Sequence, residues 1–141
     1  MISFNYENDF KLQNEEQISI WISKVISSEN KKEGDINYIF CNDQYLLNLN
    51  EQYLNHDTLT DVISFDYSIG NEIHGDIFIS TERVNENAID FNVTFEEELK
   101  RVLVHGVLHY CGYKDKSDSD EEIMRKKEDE KIKMFHVEQR D

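Results

Sequence analysis

Residues 94–115, TFEEELKRVLVHGVLHYCGYKD, decide how the rest of the chain has to fold. Thr94 and Glu97 have the spacing of a capping box, which marks the start of a helix. Gly112 is placed to end that helix. Between them, apolar residues recur at helical spacing: Leu99, Val102, Leu103, Val107 and Leu108. The stretch therefore predicts an amphipathic helix whose apolar face must be covered by other elements.

Outward from this helix, the hydrophobic pattern predicts alternating strands and helices. Period-two alternation predicts four strands: ISFNYE, INYIFC, DVISFDY and IHGDIFIS. Helical spacing predicts four further helices: EEQISIWISKVISSE, DQYLLNLNEQYL, TERVNENAIDF and SDSDEEIMRKKEDEKIKMF. The order is βαβαββααα, with Gly34 ahead of the second strand and the turn SIGNE making a hairpin of the last two. Crossover helices between the early strands predict a partly parallel sheet in an α/β domain with α+β-like layers.

The length and the cysteine usage bound the organisation and the surroundings of the chain. Its 141 residues are the size of one domain, which we expect to cover residues 1–141. The first residues, MISFNYENDF, have neither a basic nor an apolar segment of the kind found in secretory leaders, and no apolar run could cross a bilayer. Cys41 and Cys111 are expected to be reduced thiols. These features predict a cytoplasmic protein without a membrane partner, and we expect a monomer.

The charge balance limits the partners that the chain can bind. Thirty acidic and 15 basic residues give a formal net charge of −15. Such a surface repels itself and is a poor general binder of nucleic acid, so an RNA partner would require a local positive patch or a bound cation. The charged run at residues 125–133 is interpreted as a solvated helix face.

Two histidines four residues apart are the first chemical signal. On a helix, His105 and His109 lie about 40° apart on one face, which suits two nitrogen ligands of a divalent metal. For this spacing alone, two partly buried histidines bonded to carbonyls or water are an equally good interpretation. Asp115, six residues beyond the second histidine and past the Gly112 turn, is the favoured third ligand, with Asp118 and Asp120 as alternatives.

The residue after the first histidine excludes one class of enzyme. Zinc peptidases with a similar histidine spacing carry a glutamate there, which acts as the general base. This chain has Gly106 instead, which argues against peptide hydrolysis. An open site with three protein ligands and a water still suits hydrolysis of a phosphodiester.

Three sequence blocks resemble the YbeY family of metal-dependent endoribonucleases, which act in rRNA maturation and ribosome quality control. HGVLHYCGYKD at residues 105–115 is similar to the family's HGxLHLxGYDH and is followed by an acidic helix with Glu121, Met124 and Glu128. LNLNEQYLNHDTLTDVISF at residues 47–65 is similar to LNxxYRxxDxxTDVLSF, and GDIFIS at residues 75–80 is the third block. The blocks stand in the family's order.

The resemblance implies a fold, a cofactor and a substrate. It implies a mixed four-stranded sheet, three strands parallel and one antiparallel, packed with about five helices. It implies one Zn²⁺ in a cleft, at the positions of His105, His109 and Asp115. It also implies a single-strand-specific endoribonuclease that matures the 3′ end of 16S rRNA, with rRNA and ribosomal proteins as partners. Beyond the metal-bound water, the sequence assigns no catalytic group.

The chain departs from the family pattern at three positions. Asp115 stands where the family usually has its third histidine, and Lys114 stands where it has an aspartate. Leu54 replaces an arginine that the family implies to lie near the site and to handle RNA. We expect Lys114 to supply a replacement charge. Four basic residues near the motif are expected to form a positive mouth: Lys100, Arg101, Lys114 and Lys116.

Asp61 and Ser64, in the TDVISF segment, are further candidates for substrate contacts together with Lys114. The alternatives are a cap at the start of a strand for Asp61 and an ordinary strand hydroxyl for Ser64. Cys111 lies on the side of its helix away from His105 and is expected to pack rather than to bind metal. His74 is expected at the surface.

Two other functions stay open on the sequence alone. One is a ribosome-assembly factor that binds without catalysis and whose metal is structural. The other is a metal hydrolase with a different substrate, because Gly106 disfavours a peptidase but neither a phosphatase nor an amidase.

Overall fold

The structure is a computed structural model that describes the backbone of residues 1–54 and 60–139 and the side chains of residues 1–52 and 60–135. Within these ranges the chain forms four strands and five α-helices. The strands are β1 (Ile2–Tyr6), β2 (Lys32–Cys41), β3 (Val62–Asp66) and β4 (Glu72–Ser80). The helices are α1 (Glu15–Ser28), α2 (Asp43–Leu49), α3 (Thr81–Phe91), α4 (Phe95–Tyr110) and α5 (Asp118–Gln139). The element order that the sequence predicts is confirmed, although a π-helical segment, Asn50–Leu54, makes up the second half of the helix predicted after β2.

The strands form one mixed sheet in the order β1-β2-β4-β3. β1 pairs with β2 and β2 with β4 in parallel, whereas β3 and β4 form the antiparallel hairpin. Three parallel strands and one antiparallel strand therefore confirm the predicted α/β architecture.

Gly34 corrects one detail of the prediction, because it lies inside β2 rather than ahead of it. A Cβ at this position would collide with the ring of His74 and with the carbonyl of Ile73 on β4. The glycine is thus explained by the close approach of two strands and not by a turn.

Helix α4 packs across the sheet and carries much of the core. Its predicted apolar stripe is buried in full, together with Val104 and Tyr110. Gly106 faces β4, where an added Cβ would lie 2.9 Å from Cδ1 of Ile77. The position at which zinc peptidases keep a glutamate is therefore a helix–sheet contact in this chain. On the other face of the sheet, α2 covers a smaller cluster around Leu46 and Ile63.

Helix α5 contradicts the interpretation of residues 125–133 as a solvated face. Glu128 and Lys131 are buried, as are Met124 and Phe135 at either end of the run. The side chain of Lys131 is 2 % exposed. Its ammonium group lies 2.8 Å from a carboxylate oxygen of Glu29 and donates to the hydroxyl of Ser28, and these contacts stabilise the buried charge. Composition failed here because each buried charge has a partner elsewhere in the fold.

Among the described residues, no helix combines the length and the apolar composition needed to cross a bilayer, as the sequence predicts.

Substitution of Lys131 tests how much the buried ion pair contributes to the fold. Lys131→Ala leaves Glu29 without its nearest cationic partner, and breaking such a pair costs about 3 kcal/mol in the free energy of unfolding. Chemical denaturation would measure the loss. Lys133→Ala is the control, because it removes the same charge from an exposed position on the same helix. Equal stabilities of the two variants would contradict the assignment.

Candidate metal centre

The end of α4 brings two histidines and an aspartate together. His105 and His109 lie on its last two turns. Gly112 then takes a φ of +108° and the Tyr113 N–H donates to the carbonyl of Leu108, so that the chain reverses at once. Asp115 Oδ2 is thereby placed 3.2 Å from His105 Nε2 and 3.3 Å from His109 Nε2.

These three groups form a triad whose geometry fits one metal ion. The two Nε2 atoms lie 3.0 Å apart, and in the described part of the chain this is the one cluster of at least three groups able to hold a metal ion. Ligand atoms of a tetrahedral zinc site, with bonds of about 2.0–2.2 Å, stand roughly 3.4 Å apart. The alternatives Asp118 and Asp120 lie outside the cluster.

The hydrogen bonds behind the triad fix the state of both imidazoles. His109 Nδ1 lies 2.9 Å from the carbonyl of Tyr113, and His105 Nδ1 lies 2.6 Å from Oε2 of Glu128. Each Nδ1 must carry the proton, because a carbonyl and a carboxylate only accept. When both rings are neutral, the two Nε2 lone pairs face each other and the Asp115 carboxylate. Such a donor set repels itself unless a cation lies between, so the residues fit a metal.

Glu128 is a residue whose function the sequence did not reveal. It is 5 % exposed, and its second oxygen accepts a 2.7 Å bond from Arg101, whose other nitrogen bonds Asp129 at 2.7 Å. A buried carboxylate that receives the far N–H of a ligand histidine orients the ring and raises its basicity. The available signal was the i, i+4 spacing of Met124 and Glu128, which places both on one face of α5.

Two adjoining cavities reach the triad, and both are lined by His105, Asp115, Arg125 and Glu128. The α3 cavity, about 280 Å³, extends toward Phe91 at the end of α3. The α5 cavity, about 660 Å³, extends along the first turns of α5 past Asp118, Glu121 and Glu122.

Of the predicted substrate contacts, the structure brings Asp61 to the triad. Asp61 lines the α3 cavity and accepts a 3.3 Å hydrogen bond from Asn87. Burial raises the pKa of Asp61, and the charge of His105 offsets this in part. Ser64 lies on β3 opposite Ile77, and its hydroxyl is bonded to Tyr110 instead of lining the cavity.

The positive mouth expected from the basic residues is not assembled as predicted. Lys100 lies over the ring of Phe135, 4.0 Å from its centroid, and lines a separate cavity. Arg101 forms ion pairs with Glu128 and Asp129. Lys114 and Lys116 are exposed on either side of Asp115. The side chain of Leu54 lies outside the described residues.

Cys111 and His74 lie where the sequence analysis expects them. Cys111 is half-buried and packs against the main core. His74 lies near the surface, where it accepts from the N–H of Asp35 and bonds Glu72 at 3.0 Å.

Glu128→Gln tests whether the hydrogen bond behind His105 supports metal binding. The amide keeps the shape but removes the carboxylate that fixes the ring, and such partners are worth about 10–100-fold in metal affinity. Competition with a chromogenic chelator would measure the loss for Zn²⁺. Asp129→Asn is the matched control, since Asp129 bonds the same arginine but neither histidine. Equal affinities of the two variants would refute the assignment.

Metal affinity should also depend on pH in a defined direction. Burial alone would lower the pKa of His105, but the hydrogen bond and charge of Glu128, with the charges of Asp115 and Asp61, raise it. The proton favoured by the raised pKa must leave before a metal binds. Affinity should therefore be full above the raised pKa and fall below it, with a midpoint above the ordinary value of about 6.5. Co²⁺ titrations followed by visible absorption across this range would show it, and a midpoint at or below the ordinary value would contradict it.

Comparison with known proteins identifies the family of the chain. The family described as Endoribonuclease YbeY matches residues 3–136. Proteins named Endoribonuclease YbeY from Flavobacterium psychrophilum and Flavobacterium johnsoniae are 73% and 71% identical over 139 residues. The alignments cover 99% of this chain and 99% and 100% of the two relatives.

A solved structure supports the same relationship. The solution structure of TM1509 from Thermotoga maritima superposes with a TM-score of 0.72 at 28% identity, covering 99% of this chain and 92% of that one. The resemblance carried by the three sequence blocks is thus confirmed. The chain belongs to the endoribonuclease YbeY family.

Proposed function

We propose that this chain is an endoribonuclease that cleaves single-stranded rRNA with one Zn²⁺ held by His105, His109 and Asp115. Its relatives are named endoribonucleases, so the reaction is hydrolysis of phosphodiester bonds in RNA. The proposal of a metal rests on the convergence of two imidazole nitrogens and one carboxylate oxygen within 3.0–3.3 Å. Each imidazole is also fixed by a hydrogen bond at its Nδ1.

The triad suits catalysis better than a structural metal. Structural zinc sites are closed by four protein ligands, whereas the described part of the chain offers three. His105 and Asp115 both line the cavities, and the Asp115 side chain is 39% exposed, so a substrate there reaches the ligands. This favours an enzyme over a binding factor with a structural metal.

His105, His109 and Asp115 would hold the metal, which when bound would supply polarisation of a phosphoryl oxygen and a lowered pKa of water. The protein side chains supply the ligand atoms and set their charge. His105 and His109 supply neutral nitrogens, because Glu128 and Tyr113 hold their protons on Nδ1. Asp115 supplies a negative oxygen that offsets part of the metal's charge.

Asp61 and Glu98 are the candidates for proton transfer in the α3 cavity. Burial raises the pKa of both carboxyls, and for Glu98 the charge of nearby Asp61 adds to the effect. A raised pKa makes a carboxylate a stronger proton acceptor. Asp61, held by Asn87, is the better placed of the two.

The finer features of the function follow the family resemblance. We propose maturation of the 3′ end of 16S rRNA and ribosome quality control, in the cytoplasm, by a monomer whose single domain spans residues 1–141. One sheet with one main core supports the single domain. Because the net charge of −15 disfavours general binding to rRNA, part of the contacts would come through basic ribosomal proteins.

Removal of a triad residue separates the enzyme from a binding factor. His109→Ala and Asp115→Ala should lose zinc in elemental analysis. They should also cleave a single-stranded RNA oligomer slower by about 100-fold or more under single turnover, since partners behind the ligands alone are worth about 10–100-fold. Asp118→Ala is the control, because this carboxylate lines the α5 cavity outside the triad. If these two variants kept zinc and cleaved RNA at an unchanged rate, the proposal would be contradicted. If the wild type bound RNA without cleaving it, the chain would be a binding factor only.

A further inference from the structure

One arginine and one aromatic ring beside the triad have no part in the fold or in metal binding. Arg125, on α5, lines both the α3 and the α5 cavity and is exposed. Phe91, at the last position of α3, lines the α3 cavity and is 59% exposed. The sequence indicates a function for neither.

The charges around the α3 cavity single out Arg125. Four carboxyl groups line this cavity: Asp61, Glu98, Asp115 and Glu128. The other arginine in its lining, Arg101, is held by two bonds of 2.7 Å to Glu128 and Asp129. Within the described ranges, Arg125 has no carboxylate oxygen within 4.0 Å, and its charge acts on Glu98 of the same cavity only at longer range. Its guanidinium is therefore available to an anion that approaches the triad.

The position of Arg125 matters as much as its charge. It lies in the lining that the two cavities share, together with His105 and Asp115. An anionic group held there is next to the metal-binding triad. A planar guanidinium binds phosphate through two parallel hydrogen bonds, which orient the group as well as attract it.

Phe91 offers the second half of a nucleotide site. Exposed aromatic rings in nucleic-acid channels stack on bases without regard to sequence. The α3 cavity of about 280 Å³ is at the lower end of pockets that hold small ligands, about 300–1,000 Å³, which suits roughly one nucleotide. A base can reach Phe91 only when it is unpaired, since a duplex keeps its bases stacked.

We infer that the α3 cavity is a subsite for one nucleotide of single-stranded RNA, with a phosphate on Arg125 and the adjoining base on Phe91. The inference rests on the proposed function and deepens it by naming residues that position the substrate. It makes Arg125 a positioning residue: it holds the phosphate beside the triad without binding the metal.

Arg125→Gln tests the phosphate half of the subsite. Zinc-loaded protein in excess over a labelled single-stranded RNA oligomer gives the half-saturating concentration and the maximal cleavage rate. The variant should raise the half-saturating concentration roughly tenfold, as expected for one charge-assisted bond. The dependence of the logarithm of affinity on the logarithm of salt concentration should become shallower by about 0.7, the value for one phosphate contact on a single strand.

Two further variants keep this test specific. Lys126→Gln removes the same charge from the next residue of α5, whose side chain is 76% exposed and pairs with Glu122, and it should change neither quantity. Arg125→Lys should restore the salt dependence but only part of the affinity, because an ammonium lacks the planar fork. If Arg125 contributed only to the fold, Arg125→Gln would lower the thermal stability of the protein instead of changing the salt dependence of its RNA affinity.

Phe91→Ala tests the base half of the subsite. It should raise the half-saturating concentration roughly fivefold or more and leave the salt dependence unchanged, since stacking involves no counterion release. Tyr67→Ala is the control, because Tyr67 is similarly exposed, at 57%, but lines a different cavity.

The outcomes separate this inference from the proposed function. If the wild type cleaves RNA and Arg125→Gln behaves like Lys126→Gln, the subsite is wrong and the nuclease stands. If the wild type neither binds nor cleaves RNA, both fall together. Loss of zinc from Arg125→Gln in elemental analysis would also overturn the inference, because it would make Arg125 part of the metal site.

Discussion

The close approach of α4 to the central strand β4 is the constraint on which the site depends. Gly106 lies against Ile77, whose Cδ1 would be 2.9 Å from an added Cβ, so the helix lies close to the sheet at that turn. His105 and His109 flank this contact along α4, and both stay partly exposed. The core fixes the helix, and the chain reverses at Gly112. Asp115 is therefore placed next to the two imidazole rings.

Helix α5 completes what α4 begins. Its buried face carries Glu128 to His105 and Lys131 to Glu29, so the same helix orients a residue of the triad and is bound to the end of α1. The two contacts lie on one side of α5, one turn apart. Metal binding and helix packing are therefore coupled: a movement of α5 that released Lys131 would also withdraw the carboxylate that fixes the tautomer of His105.

The sequence predicted the elements and the proximity of the three triad residues because both depend on local spacing. The apolar stripe of α4, the i, i+4 histidines and the turn at Gly112 are all properties of neighbouring residues. It failed where a residue's environment is set by a distant partner. Glu128 and Lys131 belong to a charged run that any composition argument exposes to water, and only the packing of α5 on α1 and α4 buries them. Arg101 was expected to face substrate for the same reason.

The acidic surface sets how RNA can be bound. At physiological salt, charges are screened beyond about 8 Å, so the net charge of −15 disfavours binding mainly through groups close to the RNA. A rigid duplex would bring many phosphates near the carboxylates of α5, such as Glu121 and Glu122, which line the α5 cavity. A flexible single strand can instead place one phosphate near Arg125 and the triad while the rest turns away. The same repulsion that weakens general affinity therefore supports the proposal that the substrate strand is unpaired.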